Sequence, residues 1–147
     1  MPVIRNQQFY FKEGFCWNNV LNPNSILIKS RLKEKSINDV SSMSLISLLE
    51  YIKNNFFICL INSRLIFDIY RNFINTTVSI QINDIRQLPI IIPNQEQKEK
   101  LENIFNRAYN IQKKKFSGEM TEKNAKEELD KIQNELDIFV ERMYLGD

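Results

Sequence analysis

The chain has 147 residues and a mass of 17.5 kDa, with 43% apolar and 26% charged residues, enough for one domain, or one domain and an appendage, with a buried core. It contains no histidine, which excludes Ser-His-Asp and Cys-His catalysis, histidine-ligated zinc and any imidazole acid–base step. The net charge of +2 is unevenly placed: residues 1–93 carry ten Lys and Arg against six Asp and Glu, and residues 94–147 carry ten against twelve. A basic front and an acidic back suggest two roles, one facing a polyanion and one facing protein or solvent.

Cys16 and Cys59 are flanked by apolar or aromatic residues and read as small buried hydrophobes of a reducing compartment, with one disulfide as the alternative. No apolar run reaches the roughly 18 residues of a membrane helix, and no signal-peptide pattern opens the sequence. The expectation is a soluble, cytoplasmic protein without membrane partners.

In chain order, Phe9-Tyr10-Phe11 and Ile26 to Lys35 have strand composition, separated by a loop holding Gly14, Asn22 and Pro23. Ser44 to Lys53 reads as a short helix. Asn55 to Asn75 reads as a longer and very apolar one, buried against a sheet. Thr76 to Ile82 alternates as a half-buried strand, Asn83 to Arg86 is a turn, and Leu88 to Ile92 is a second apolar strand between prolines. Asn94 and Gln97 then form a capping-box signature for a helix that ends at Ser117-Gly118, with Lys113, Lys114 and Lys115 at its negative pole. Thr121 caps a final helix in which Ala125, Leu129, Ile132, Leu136, Phe139 and Met143 form a heptad-like seam. The short connection makes the last two helices an antiparallel hairpin. The fold class expected is α+β: a small mixed β-sheet packed with a buried helix over residues 1–93, then a two-helix hairpin over residues 94–147 that serves as spacer and docking element.

The segment Ile28-Lys29-Ser30-Arg31-Leu32-Lys33-Glu34-Lys35 would, as a strand, place Lys29, Arg31, Lys33 and Lys35 on one face, a line of about 20 Å suited to a phosphate backbone. The same pattern also fits an edge strand guarded by lysines. Asn18 and Asn19 could pair with an adenine in the major groove, whereas the adjacent Trp17 fits better as an aromatic core anchor. Asn62-Ser63, inside the apolar helix, calls for structural hydrogen bonds to a neighbouring element. Asp84, Glu96 and Lys98 mimic a nuclease carboxylate cluster, but Glu96 and Lys98 fall in a helix rather than at a strand end. Asn22-Pro23-Asn24-Ser25 lacks the second proline and the aromatic of an amino-methyltransferase motif. Three glycines leave no nucleotide-binding loop.

The order of segments resembles a known family. Phe57-Ile58-Cys59-Leu60-Ile61-Asn62-Ser63-Arg64-Leu65 is similar to the "Leu-Leu-x-x-Leu-Asn-Ser-Lys-Leu" helix of restriction–modification target recognition domains. Val78 to Pro93 is similar to that family's strand, "Asp-Leu-Arg/Lys" turn and "Leu-Pro-Ile-Pro-x-Pro" strand, and Gln95-Glu96-Gln97-Lys98 to its "Pro-x-x-x-Gln" helix start. Gly14-Phe15-Cys16-Trp17 resembles the "Gly-Ile-Thr-Trp" entry of recognition domains fused behind adenine methyltransferases, and Leu136 to Tyr144 resembles their "Leu-Asp-x-x-Val-x-x-x-Tyr-Gly-Leu" ending, with Leu145-Gly146 in place of Gly-Leu. The chain thus resembles a TaqI-like C-terminal specificity domain, with type I specificity subunits as relatives.

The resemblance implies sequence-specific recognition of double-stranded DNA for a restriction–modification or phage-defence system, with no catalysis in this chain. S-adenosylmethionine would sit on a separate methyltransferase domain or subunit, alone or with a nuclease, and a homodimer would read a palindromic or repeated site. The candidate residues rest on side-chain chemistry alone: Lys29, Arg31, Lys33 and Lys35 for phosphates, and Asn18 and Asn19 for bases. A protein-interaction module using the seam Leu129, Ile132, Leu136, Phe139 and Met143 is the alternative.

Overall fold

A computed structural model describes residues 8, 10–36 and 42–146. Strands β1 (Gly14–Asn18), β2 (Ser30–Lys33) and β3 (Ser42–Leu45) form a sheet of order β2-β1-β3, antiparallel at both pairings. Helices α1 (Asn54–Ile61), α2 (Arg64–Ile69), α3 (Ile82–Arg86), α4 (Gln95–Ser117) and α5 (Glu122–Leu145) follow. The architecture is α+β, with α4 and α5 packed on each other behind the sheet-and-helix layer.

Side-chain alternation gives the sheet two unlike faces. Phe15, Trp17, Leu32, Met43 and Leu45 turn toward α1 and join one hydrophobic cluster. That cluster continues through Phe56, Leu60 and Ile61 of α1 into Leu101 and Ile104 of α4 and Ile132, Leu136 and Val140 of α5. The core therefore runs without interruption across residues 93 and 94. Gly14 is required by the sheet itself: a Cβ there would lie 2.5 Å from the carbonyl oxygen of Leu45.

Several elements depart from the sequence expectation, each for a local reason. Phe9 lies outside the described residues, and Tyr10-Phe11 form a turn with Phe11 at φ 56°, not a strand. The Ile26–Lys35 strand contracts to Ser30–Lys33. Ser44–Lys53 is not a helix: Ser42–Leu45 alternates polar and apolar residues and pairs with β1, and the chain stays irregular to Lys53.

The Asn55–Asn75 helix begins at Asn54 and breaks at Asn62-Ser63, where the Asn62 amide is drawn onto the backbone of Ser30 and the Ser63 hydroxyl turns back on the helix. The Ser63 hydroxyl donates to the carbonyl of Leu60 at 2.7 Å. Helix α5 satisfies the break, with Gln133 Nε2 donating to the Asn62 carbonyl (2.9 Å) and Asp137 Oδ1 accepting from the Arg64 N–H (2.9 Å). The chain then leaves α2 through a π-helical turn, Tyr70–Ile74.

Among the described residues Thr76–Ile82 makes only one bridge, Val20 to Ser79, because the Asn75 side chain captures the Thr77 N–H (2.7 Å) and bonds the Ser79 carbonyl (2.9 Å). The turn expected at Asn83–Arg86 is the helix α3, capped by Asp84. The strand expected over Leu88–Ile92 does not form: the Leu88 N–H closes a turn onto the Ile85 carbonyl (3.2 Å), and the segment 89–92 is irregular. Proline leaves gaps in its donors, and the carbonyls of Pro89 and Pro93 accept from the hydroxyls of Tyr144 (2.7 Å) and Tyr51 (3.2 Å).

The helical hairpin follows its signals closely. Asn94 Oδ1 accepts from the Gln97 N–H (2.8 Å) while Gln97 Oε1 accepts from the Asn94 N–H (3.0 Å), a reciprocal capping box. Gly118, at φ 80°, ends α4 in the left-handed conformation, and Thr121 Oγ1 caps α5 through the Asn124 N–H (3.2 Å). No described helix is long and apolar enough to cross a membrane.

Candidate nucleic-acid interface

The sheet face turned away from α1 is polar. Cys16 sits at its centre, opposite Arg31 on one side and Ser44 on the other, and Asn18 lies exposed at the end of β1. Residues 28–32 alternate as a strand should: Ile28 and Ser30 point inward, while Lys29 and Arg31 are exposed on the outer face. Lys35 is exposed beyond the strand end.

Lys33 does not belong with them. It is only 9% exposed, and its ammonium donates to the carbonyls of Lys12 (3.3 Å), Glu34 (3.3 Å) and Ser36 (2.6 Å). It ties together the chain on either side of the β1–β2 pair, so its charge is occupied by backbone dipoles. The expected line of four cations therefore reduces to Lys29 and Arg31 together, with Lys35 apart from them.

Trp17 is 1% exposed and packs in the core with its ring tilted against Phe15, as an anchor should, although its indole N–H has no partner among the described residues. Asn19 is half-buried and works through its backbone, its carbonyl accepting from the Ile80 N–H at 2.8 Å. Only Asn18 of the two keeps an exposed side chain at the sheet end.

A feature that composition over 93 residues concealed is the local charge pattern. From Gly14 to Lys33 there is no Asp or Glu, but three cations and four asparagines. The neighbouring segment from Ile69 to Asn83, joined to it at the Val20–Ser79 bridge, is also free of carboxylates. The nearest acids in sequence, Glu13 and Glu34, flank the opposite end of the strand pair, where Gly14 faces Lys33. The end formed by Asn18, Val20 and Lys29 thus presents amides and positive charge, and the carboxylate of Asp84, beyond the Val20–Ser79 bridge, is occupied by Asn75 Nδ2 and the Gln81 N–H.

The other candidates fall elsewhere. Asp84 accepts from Asn75 Nδ2 (2.8 Å) and from the Gln81 N–H (2.9 Å), holding α3, while Glu96 lies exposed in the first turn of α4. No group of three metal-capable side chains comes together among the described residues. In the α5 seam, Ile132 and Leu136 are buried in the core cluster, Phe139 and Met143 pack against it, and Leu129 is half-buried. That face packs on the chain's own α4 and core, with Leu129, Phe139 and Met143 left half-buried. Compared with known proteins, the chain matches no family model, no curated protein and no solved structure.

Proposed function

We propose that this chain recognises double-stranded DNA sequence-specifically, as the target recognition part of a restriction–modification or related phage-defence methyltransferase, and has no catalysis of its own. The observation that carries the reading is the pair of exposed cations, Lys29 and Arg31, at alternate positions along the chain entering β2, at the sheet end where Asn18 is exposed. Cations spaced in this way suit successive phosphates, and an exposed amide suits a base edge. The order of motifs described above supports it. On this reading S-adenosylmethionine and the chemistry reside on a methyltransferase domain or subunit, and the helical hairpin spaces or docks the two.

Selection from a random double-stranded DNA pool at low and then moderate salt tests this. An enriched motif is expected. Retention without any motif would leave phosphate binding alone, and no retention at either salt would overturn the reading.

A further inference from the structure

The tetrapeptide Asn22-Pro23-Asn24-Ser25, close in the chain to exposed Asn18 and Lys29, has the build of a pre-ordered reading tip. The Ser25 N–H donates to the Asn22 carbonyl (2.9 Å), closing a four-residue turn, and Asn22 Oδ1 accepts from the Asn24 N–H (3.0 Å) inside it. Pro23 fixes its own φ within the turn. Both flanks are anchored: Leu21 is 7% exposed and donates its N–H to Val78 at 2.7 Å, and Ile28 is completely buried. Between the anchors, Asn22, Pro23 and Asn24 stand exposed. The Asn24 side-chain amide makes no hydrogen bond among the described residues, so its donor and acceptor are both free.

The turn borders a shallow hollow of about 310 Å³ that also takes in Ser25, Ile26, Leu27 and Lys29. The amide tip and the exposed Lys29 ammonium therefore lie on one surface, without a carboxylate in its lining. An amide held by a short, pre-ordered turn loses little conformational freedom on contact. A side-chain amide with both functions free matches the N6 and N7 positions of adenine in the major groove.

We propose that Asn24 reads an adenine edge in double-stranded DNA, with Lys29 holding a flanking phosphate. This rests on the DNA-recognition reading above and adds a base contact from the 22–25 turn to the one that exposed Asn18 offers. Asn22 shapes the turn, and Asn24 makes the contact. Charge and donor pattern favour nucleic acid over an acidic peptide, because a bidentate amide would add no discrimination among carboxylates.

The test is parallel selection from a random duplex pool with the full chain and its Asn24→Ala and Lys29→Ala variants, followed by titration of the selected duplex and its single-base-pair variants. Asn24 and Lys29 are exposed, and unchanged thermal melting verifies that both variants fold. Asn24→Ala should lose preference at one A·T pair by roughly ten- to a hundredfold with an unchanged salt slope. Lys29→Ala should weaken all sequences alike and reduce the slope by about 0.9. If the wild-type chain selects a motif and Asn24→Ala selects the same motif equally strongly, the assignment of Asn24 is overturned while the DNA reading stands. If the wild-type chain selects no motif, the assignment and sequence recognition fail together.

Discussion

The side-chain amide of Asn62 grips both backbone groups of Ser30: Oδ1 accepts the Ser30 N–H at 2.6 Å, and Nδ2 donates to the Ser30 carbonyl at 2.9 Å. The Ser30 hydroxyl adds a third contact to Oδ1 at 3.0 Å. Because β2 is an edge strand, Asn62 occupies the position a further strand would take, with one side chain in place of a ladder. The contact joins the break between α1 and α2 to the strand residue flanked by Lys29 and Arg31, so it orients both exposed cations.

Asn62→Ala should accordingly destabilise the fold by about 1–3 kcal/mol, the cost of leaving part-buried backbone donors and acceptors unpaired. The shift is read from the midpoint of denaturant unfolding. Asn62→Asp keeps the acceptor but loses the Nδ2 donor, and should also destabilise. Wild-type stability in both variants would mean that the edge of β2 is satisfied by water and that Asn62 does not position it.

Asn62 also shows what the sequence made legible. Two polar residues inside an apolar helix predicted structural hydrogen bonds, and they make them, but the helix breaks at those positions because α5 supplies Gln133 and Asp137 to cap its two halves. Local signals sufficed wherever the partner lay within a few residues, as in the Asn94–Gln97 box, the Gly118 stop and the Thr121 cap. They failed where the partner was distant. β3 depends on an open edge of β1, and the Tyr51 and Tyr144 hydroxyls reach carbonyls 42 and 55 residues away in sequence. At the candidate interface, period-two alternation placed Lys29 and Arg31 correctly on one face. It could not foresee that the Lys12 and Ser36 carbonyls would enclose Lys33, or that Asn22-Pro23-Asn24-Ser25, read as an incomplete methyltransferase motif, closes as an exposed turn.

The unlike environments of Lys33 and Arg31 give opposite phenotypes. Lys33→Ala removes the donor for three carbonyls and should destabilise the chain by about 1–3 kcal/mol. Its DNA affinity, measured well below the melting temperature, should keep the wild-type salt dependence. Arg31→Ala should leave melting nearly unchanged and flatten the log–log salt slope by about 0.9. With Lys29, Arg31 and Lys35 as phosphate contacts, the wild-type slope should be about −2.7, against the −3.6 or so that four contacts would give. Exchange of the two phenotypes would show that Lys33 leaves its carbonyl cage to bind DNA.

Both thiols are buried and free. Burial pushes the Cys59 thiol up to about 12, and its Sγ–H donates to the Leu101 carbonyl at 3.5 Å, so essentially no thiolate forms near neutral pH. The native chain should resist a thiol-specific chromogenic reagent for hours, and denaturant should release two reactive thiols. Rapid labelling of Cys59 under native conditions would require that α1 separate from α4 far more often than a buried core contact allows.

Glu135 links α5 to α4 through Lys100 (2.5 Å) and Arg107 (2.6 Å). Hydrogen bonds from Lys100 and then Arg107 hold its carboxyl below the usual carboxylate value. A folded-state value below the unfolded one stabilises the chain above the unfolded pKa, and the contribution is lost as pH falls through the folded value. Glu135→Gln should therefore be less stable than wild type at about pH 7, by a margin kept small because the pair is partly solvated, and the margin should close under acid conditions below the ordinary carboxylate range. Thermal melts of the two proteins across that range, at low ionic strength, measure it. A margin that stayed constant down to acid pH would mean that Glu135 contributes through packing and neutral hydrogen bonds, with its charge immaterial to the hairpin.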